Sequence, residues 1–153
     1  MKSLESAVNE RKDAILSVSK YIYENPEIEM EEFKAKEKLV SMLKNEGFDV
    51  DADIPGLPTA FAARKSNGDG PRIAFIAEYD ALPKMGHACG HNLIAAMGYG
   101  SAVSLAAMLD EYKGTVYLLG APAEETGRGK PGLIDGGYFK DADVAIMAHP
   151  MNF

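Results

Sequence analysis

Residues 78–92 read Glu-Tyr-Asp-Ala-Leu-Pro-Lys-Met-Gly-His-Ala-Cys-Gly-His-Asn, and they hold the only cysteine and two of the three histidines in the 153-residue chain. Cys89 and His91 flank Gly90, which lets the backbone turn tightly enough for a thiolate and an imidazole to converge on one ion. Just before this stretch, Arg72 to Ala77 (Arg-Ile-Ala-Phe-Ile-Ala) is a nearly continuous apolar run, the pattern of a strand covered on both faces. Just after it, Asn92 to Asp110 reads as a long buried helix. Strand, loop and helix in succession point to an α/β fold with a mostly parallel sheet and flanking helices. In such sheets the ligand site lies beyond the carboxyl ends of the strands.

Two further apolar strands are expected, each running into chemistry. Thr115 to Ala121 ends at Pro122-Ala123-Glu124-Glu125, and Val144 to Ala148 ends at His149-Pro150. A thiolate, imidazoles and a carboxylate at successive strand ends form a donor set suited to zinc or a similar divalent ion. If Glu124 and Glu125 continue the extended strand, their side chains point in opposite directions, so one would ligate and the other remain free for proton transfer. Asp80 either orients a ligand or caps the turn before Pro83. His87 is a candidate to support a ligand from behind and is left out of the ligand set.

The amino-terminal part supplies cover for the sheet. Leu4, Val8, Ile15, Val18 and Ile22 recur near helical spacing from Ser3 to Glu24, and Asn25-Pro26 stops the run. A second helix starts near Glu31, carries Phe33, Leu39, Met42 and Leu43, and closes at Gly47; its charged face reads as solvated. Phe48 to Val50 and Thr59 to Arg64 read as short strands, and Asn67-Gly68 is a candidate hairpin turn. Thr126 to Gly137 reads as a loop with one helical turn.

Composition narrows the class. With 46% hydrophobic residues the chain can bury one ordinary core. A formal net charge of -7 disfavours a nucleic-acid or anionic-membrane surface and leaves a small or peptide-like ligand. A lone cysteine and an amino terminus without an apolar signal core point to a cytoplasmic setting. Asn92 to Leu109 is uncharged and long enough to be weighed as a membrane span, but Asn92, Gly98, Gly100, Ser101 and Ser104 favour a helix pressed against a sheet.

Taken together, Glu-Tyr-Asp-Ala-Leu-Pro, Gly-His-Ala-Cys-Gly-His-Asn, Pro-Ala-Glu-Glu and Ala-His-Pro, in this order and spacing, resemble the metal-dependent aminoacylase and carboxypeptidase-type amidohydrolases. The similarity is greatest to the branch of metallopeptidases containing aminobenzoyl-glutamate hydrolase and N-acyl-amino-acid or dipeptide hydrolases. Asn25-Pro26-Glu27 and the acidic second helix are similar to the family's amino-terminal region. The resemblance implies a zinc-exopeptidase-like catalytic domain with two divalent ions, zinc or manganese, in a complete site. It implies Cys89, His91, Glu125 and His149 as metal ligands and Glu124 as the general base. The implied reaction is hydrolysis of an amide bond next to a free carboxylate, in an N-acyl amino acid, aminobenzoyl-glutamate or a dipeptide, with homo-oligomerisation open. Glu78 stands where the wider family often has a ligand histidine, and Asn92 where related members have aspartate.

By the same resemblance, residues 1–153 correspond to the amino-terminal portion of such a catalytic domain. A lid or dimerisation domain, the last strands and a further histidine ligand lie outside it, and the chain alone is expected to be inactive. Two rivals stand beside this reading: a non-catalytic metal-binding or assembly module, and a thiol hydrolase with Cys89 as nucleophile and a histidine as base.

Overall fold

Residues 3–150 are described by a computed structural model, with α1 (Leu4–Asn9), α2 (Lys12–Glu24), α3 (Phe33–Asn45), β1 (Asp49–Asp51), β2 (Phe61–Ser66), β3 (Arg72–Glu78), α4 (His91–Ala106), β4 (Thr115–Ala121), α5 (Gly129–Asp135) and β5 (Val144–Ile146) in chain order. The strands form one sheet in the order β1-β2-β4-β3-β5. Its β4-β3-β5 half is parallel, and β1 and β2 are added antiparallel on the far side of β4. The α/β architecture read from the sequence is present, with a mixed sheet whose parallel half carries the motif loops.

Side chains alternate across the sheet as the pleat requires. Leu118 and Ala77 enter the larger core under α2, α3 and α4, while Leu119 and Ala74 face the second core with Ile54, Leu57 and Leu133 of α5. Helix α4 is the apolar segment weighed above as a membrane span. Its buried residues run all round it because it lies between β3 and the amino-terminal helices, and no helix among the described residues is long and apolar enough to cross a membrane.

Several boundaries differ for identifiable reasons. The expected single amino-terminal helix breaks at Glu10 and Arg11, where the Arg11 guanidinium donates to the Ala7 carbonyl at 3.2 Å and pairs with Glu46 at 3.5 Å. Helix α3 closes as expected: Gly47 has φ +79°, and the N–H groups of Gly47 and Phe48 bond to the carbonyls of Lys44 and Leu43. Asn67-Gly68 does not close a hairpin, because β4 lies between β2 and β3. Asn67 instead ties down the α4–β4 connection: its side chain donates to the carbonyls of Leu109 and Tyr112 and accepts from the Gly114 N–H. The segment expected as a loop with one turn forms the longer α5.

Two glycines of α4 differ in what a methyl group would meet. At Gly98 a Cβ would lie 2.7 Å from the backbone oxygen of Ile76, whereas at Gly100 it would lie 2.8 Å from the flexible tip of Ile15. Replacing a helical glycine by alanine gains about 1 kcal/mol of propensity, and overpacking against backbone costs about 1–3 kcal/mol. Gly98→Ala is therefore expected to lower stability in urea denaturation, and Gly100→Ala to leave it equal or raise it. Equal stability of the two variants would show that α4 can lift from β3 freely.

Candidate metal centre

The carboxyl ends of the parallel strands bring the chemistry together. Glu78 is the last residue of β3, Asp80 lies two residues further on, and His91 is the first residue of α4. Gly90, in the left-handed region at φ +78°, makes the turn that the Cys-Gly-His spacing anticipates. After β4, Ala123 takes a positive φ of 50° and the chain enters a turn rather than continuing extended. The opposed orientation expected for Glu124 and Glu125 is thereby lost, and both carboxylates face His91.

His91 is the centre of the cluster and is 1% exposed. Its Nδ1 donates to Asp80, whose Oδ1 and backbone oxygen both lie at 2.9 Å. Asp80 Oδ2 accepts the Glu125 N–H at 3.1 Å, so one carboxylate fixes the imidazole and the acidic turn together. The fixed ring presents Nε2 to Glu78 Oε2, Glu124 Oε2 and Glu125 Oε1, each 3.7 Å away. The His149 ring stands edge-on to it, with centroids 5.9 Å apart.

Charges respond to this crowding. Burial pushes the Asp80 carboxyl up, but hydrogen bonds from His91 and the Glu125 N–H outweigh it and hold Asp80 below its ordinary range. Burial works to lower the His91 pKa, while Asp80 and Glu78 raise it to a net increase. Burial likewise opposes the Lys130 ammonium, but its bonds to Glu78 at 2.7 Å and Glu124 at 3.3 Å raise its pKa overall. His87 is buried and its pKa is lowered by that burial, and Asn92 donates to Ser19 Oγ at 2.9 Å, tying α4 to α2.

The donor set fits a divalent ion. His91 Nε2 and Glu78 Oε2 are buried atoms without a hydrogen-bond partner, which folded proteins rarely tolerate. At 3.7 Å the contacts around Nε2 are too long for hydrogen bonds. They are close to the separation of two ligand atoms that each lie about 2 Å from a shared ion. Glu78, His91 and His149 form one group whose ligand atoms lie within 4.8 Å of one another, and His91, Glu124 and Glu125 form another. Cys89 belongs to neither group. The neighbouring Glu125 carboxylate, with burial and the other acids nearby, pushes its thiol pKa up to about 11. Of the four ligands expected from the sequence, the structure thus places His91, Glu125 and His149 in these groups and Cys89 outside them. A separate cleft of about 760 Å³, lined by Arg64, Arg72, Asp141 and Asp143, opens at the other end of β3 and β4 and holds none of these groups.

The chain also resembles known proteins. The profile of peptidase family M20/M25/M40 matches residues 74–152, which include Glu78, Asp80, Cys89, His91, both glutamates and His149. The chain belongs to that family. It is 40% identical to the Xaa-Arg dipeptidase of Mus musculus, over 94% of this chain and 36% of that one. It is 32% identical to one of the subunits of the p-aminobenzoyl-glutamate hydrolase of Escherichia coli, over 98% of this chain and 35% of that one. The chain therefore spans about a third of the length of these relatives. Among solved structures it resembles a Bacillus subtilis protein described as a dinuclear metal-binding peptidase of the M20 family, with TM-score 0.79 and 28% identity over 87% of this chain and 41% of that one.

Three residues in or beside this cluster escape the sequence reading. Glu78 receives no role there, although a carboxylate ending a buried strand is itself a signal; Lys130, in Gly-Arg-Gly-Lys-Pro, reads as loop. Glu32 belongs to the acidic start of α3, whose charged face reads as solvated, yet it is completely buried. It accepts from Thr59 Oγ1 at 2.6 Å, the Met30 N–H at 3.1 Å and the Ala123 N–H at 2.9 Å, the last at the residue that turns the chain toward Glu124. Nothing in the periodicity of the segment separates Glu32 from Glu29 or Glu31.

Removing Glu32 strands two backbone donors and a hydroxyl, each costing about 1–3 kcal/mol when buried and unpaired. Glu32→Ala is expected to destabilise the chain by on the order of 3 kcal/mol, whereas Glu32→Gln, which keeps an acceptor oxygen, costs clearly less. Urea denaturation of both variants checks this, and equal losses would show that the hydrogen bonds at Ala123 and Met30 are not what Glu32 contributes.

Proposed function

We propose that the chain carries the metal-binding part of a metal-dependent amidohydrolase, acting on an amide bond next to a free carboxylate in an N-acyl amino acid, aminobenzoyl-glutamate or dipeptide-like substrate. The observation that carries the reading is His91 Nε2, buried, without a hydrogen bond and facing three carboxylates at 3.7 Å. The relatives named above, a dipeptidase and an aminobenzoyl-glutamate hydrolase, support the substrate class. Cys89, His91, Glu125 and His149 would hold the metal, two ions of zinc or manganese in a complete site, and Glu124 would act as general base. A divalent ion held there supplies Lewis acidity toward water and toward the scissile carbonyl.

The chain's own residues account for the remaining parts. Asp80 fixes His91 in the tautomer that frees Nε2. Glu124 is held through Oε1 by Lys130, leaving Oε2 to take a proton from the attacking water and return it to the departing nitrogen. Glu125 is braced through its N–H by Asp80 while its Oε1 faces His91 Nε2 at 3.7 Å, a geometry suited to a ligand. Turnover is assigned to these residues acting with the remainder of a full-length enzyme, and the 153 residues alone are expected to bind metal with little hydrolysis. The thiol-hydrolase alternative fares poorly, since a thiol with pKa raised to about 11 by adjacent carboxylates is a weak nucleophile.

Metal titration of two variants separates the adjacent glutamates. Glu125→Gln is expected to lower metal occupancy, and Glu124→Gln to leave occupancy nearly unchanged while, in a complete enzyme, reducing turnover by about a hundredfold or more. Occupancy lost in Glu124→Gln and kept in Glu125→Gln reverses the roles. In the same titration Cys89→Ala is expected to weaken binding, and unchanged retention removes Cys89 from the ligand set.

A further inference from the structure

Glu78 has no part in the catalytic scheme above, yet it is the most deeply buried carboxylate facing His91 Nε2, with 0% exposure. Its two oxygens are in different situations. Oε1 accepts from Lys130 Nζ at 2.7 Å. Oε2 is buried, has no hydrogen-bond partner, and lies 3.7 Å from the equally unpartnered His91 Nε2.

An ion pair that served only to bury Lys130 gives no reason for this division. Lys130 uses one bond on Glu78 Oε1 and its second contact, at 3.3 Å, on Glu124 Oε1. Glu78 Oε2 is thereby left pointing at the space that His91 and His149 also face, with all three ligand atoms within 4.8 Å of one another. Two buried, unpartnered polar atoms aimed at one point are most simply satisfied by a shared cation.

We propose that Glu78 is a metal ligand through Oε2, and that Lys130 is the positioning residue that holds Oε1 and so turns Oε2 toward the ion. The proposal rests on reading the cluster as a metal centre and adds a carboxylate to its donor set. Hard oxygen beside imidazole suits zinc or manganese. Lys130 also offsets part of the mutual repulsion among Glu78, Asp80, Glu124 and Glu125, which lets four carboxylates converge before an ion arrives.

The test uses the whole chain and three forms: wild type, Glu78→Gln, and the double variant Glu78→Gln/Lys130→Met, which removes both charges so that neither is left unpaired. Zinc affinity is measured by competition with a chromophoric chelator, and the visible spectrum is recorded with cobalt(II) in place of zinc. Glu78→Gln is expected to weaken zinc binding by about tenfold or more and to shift the cobalt bands. The double variant is expected to keep that weakened affinity even where its thermal stability returns to the wild-type value. Wild-type affinity and spectrum in Glu78→Gln, or recovery of wild-type affinity in the double variant, overturns the proposal and leaves Glu78 as a counter-ion to Lys130. Failure of the wild type itself to bind zinc overturns both this proposal and the metal reading beneath it.

Discussion

The hydrogen bond from His91 Nδ1 to Asp80 sets the geometry on which the rest of the centre depends. It decides which ring nitrogen is committed and therefore which faces the carboxylates. Because the same Asp80 carboxylate also accepts the Glu125 N–H, the end of β3, the start of α4 and the turn after β4 are locked at one point. A two-acceptor side chain joining three segments is a rigid way to hold ligands, since none can shift without costing the other a buried bond. Asp80 thus contributes no atom to either candidate ligand group and yet fixes the orientation of residues in both.

Around that lock the chain concentrates negative charge in a buried place, which is destabilising unless something cationic offsets it. Lys130 offsets part of it, bonding both Glu78 and Glu124 from the first turn of α5. Glu32 offsets no charge, but it accepts the Ala123 N–H at the positive-φ residue where the chain turns toward Glu124. Glu27 extends the support outward: its carboxylate caps the N–H groups of Lys34 and Ala35, and its carbonyl accepts from Ala81 at the edge of the motif loop. The amino-terminal helices are thus connected to the centre by specific bonds as well as by the apolar core.

Much of this is legible in the sequence because period and punctuation carry the signal. The apolar runs mark β3 and β4 nearly to the residue, the uncharged stretch marks the start of α4 although the helix expected to reach Asp110 ends at Ala106, and Gly90 between Cys89 and His91 announces the turn. Contacts between residues distant in sequence are not legible. The failed hairpin at Asn67-Gly68 is a case in point: a turn dipeptide fixes local backbone shape, but which strands pair depends on where β4 inserts. The opposed orientation expected of Glu124 and Glu125 fails at the positive φ of Ala123, which has no composition signal and whose N–H is bonded by Glu32 from far along the chain. Glu32 and Lys130 carry the same lesson. A charged residue in an acidic or glycine-rich segment reads as solvated until the fold supplies its partner.

Whether His91 and the carboxylates facing it surround a metal ion is decided by diffraction from crystals of the purified, zinc-loaded chain, recorded at the zinc absorption edge. An anomalous peak is expected in contact with His91 Nε2, flanked by Glu125 and His149. A fully loaded crystal with no peak there, or with zinc only at surface acids elsewhere on the chain, would contradict the metal reading.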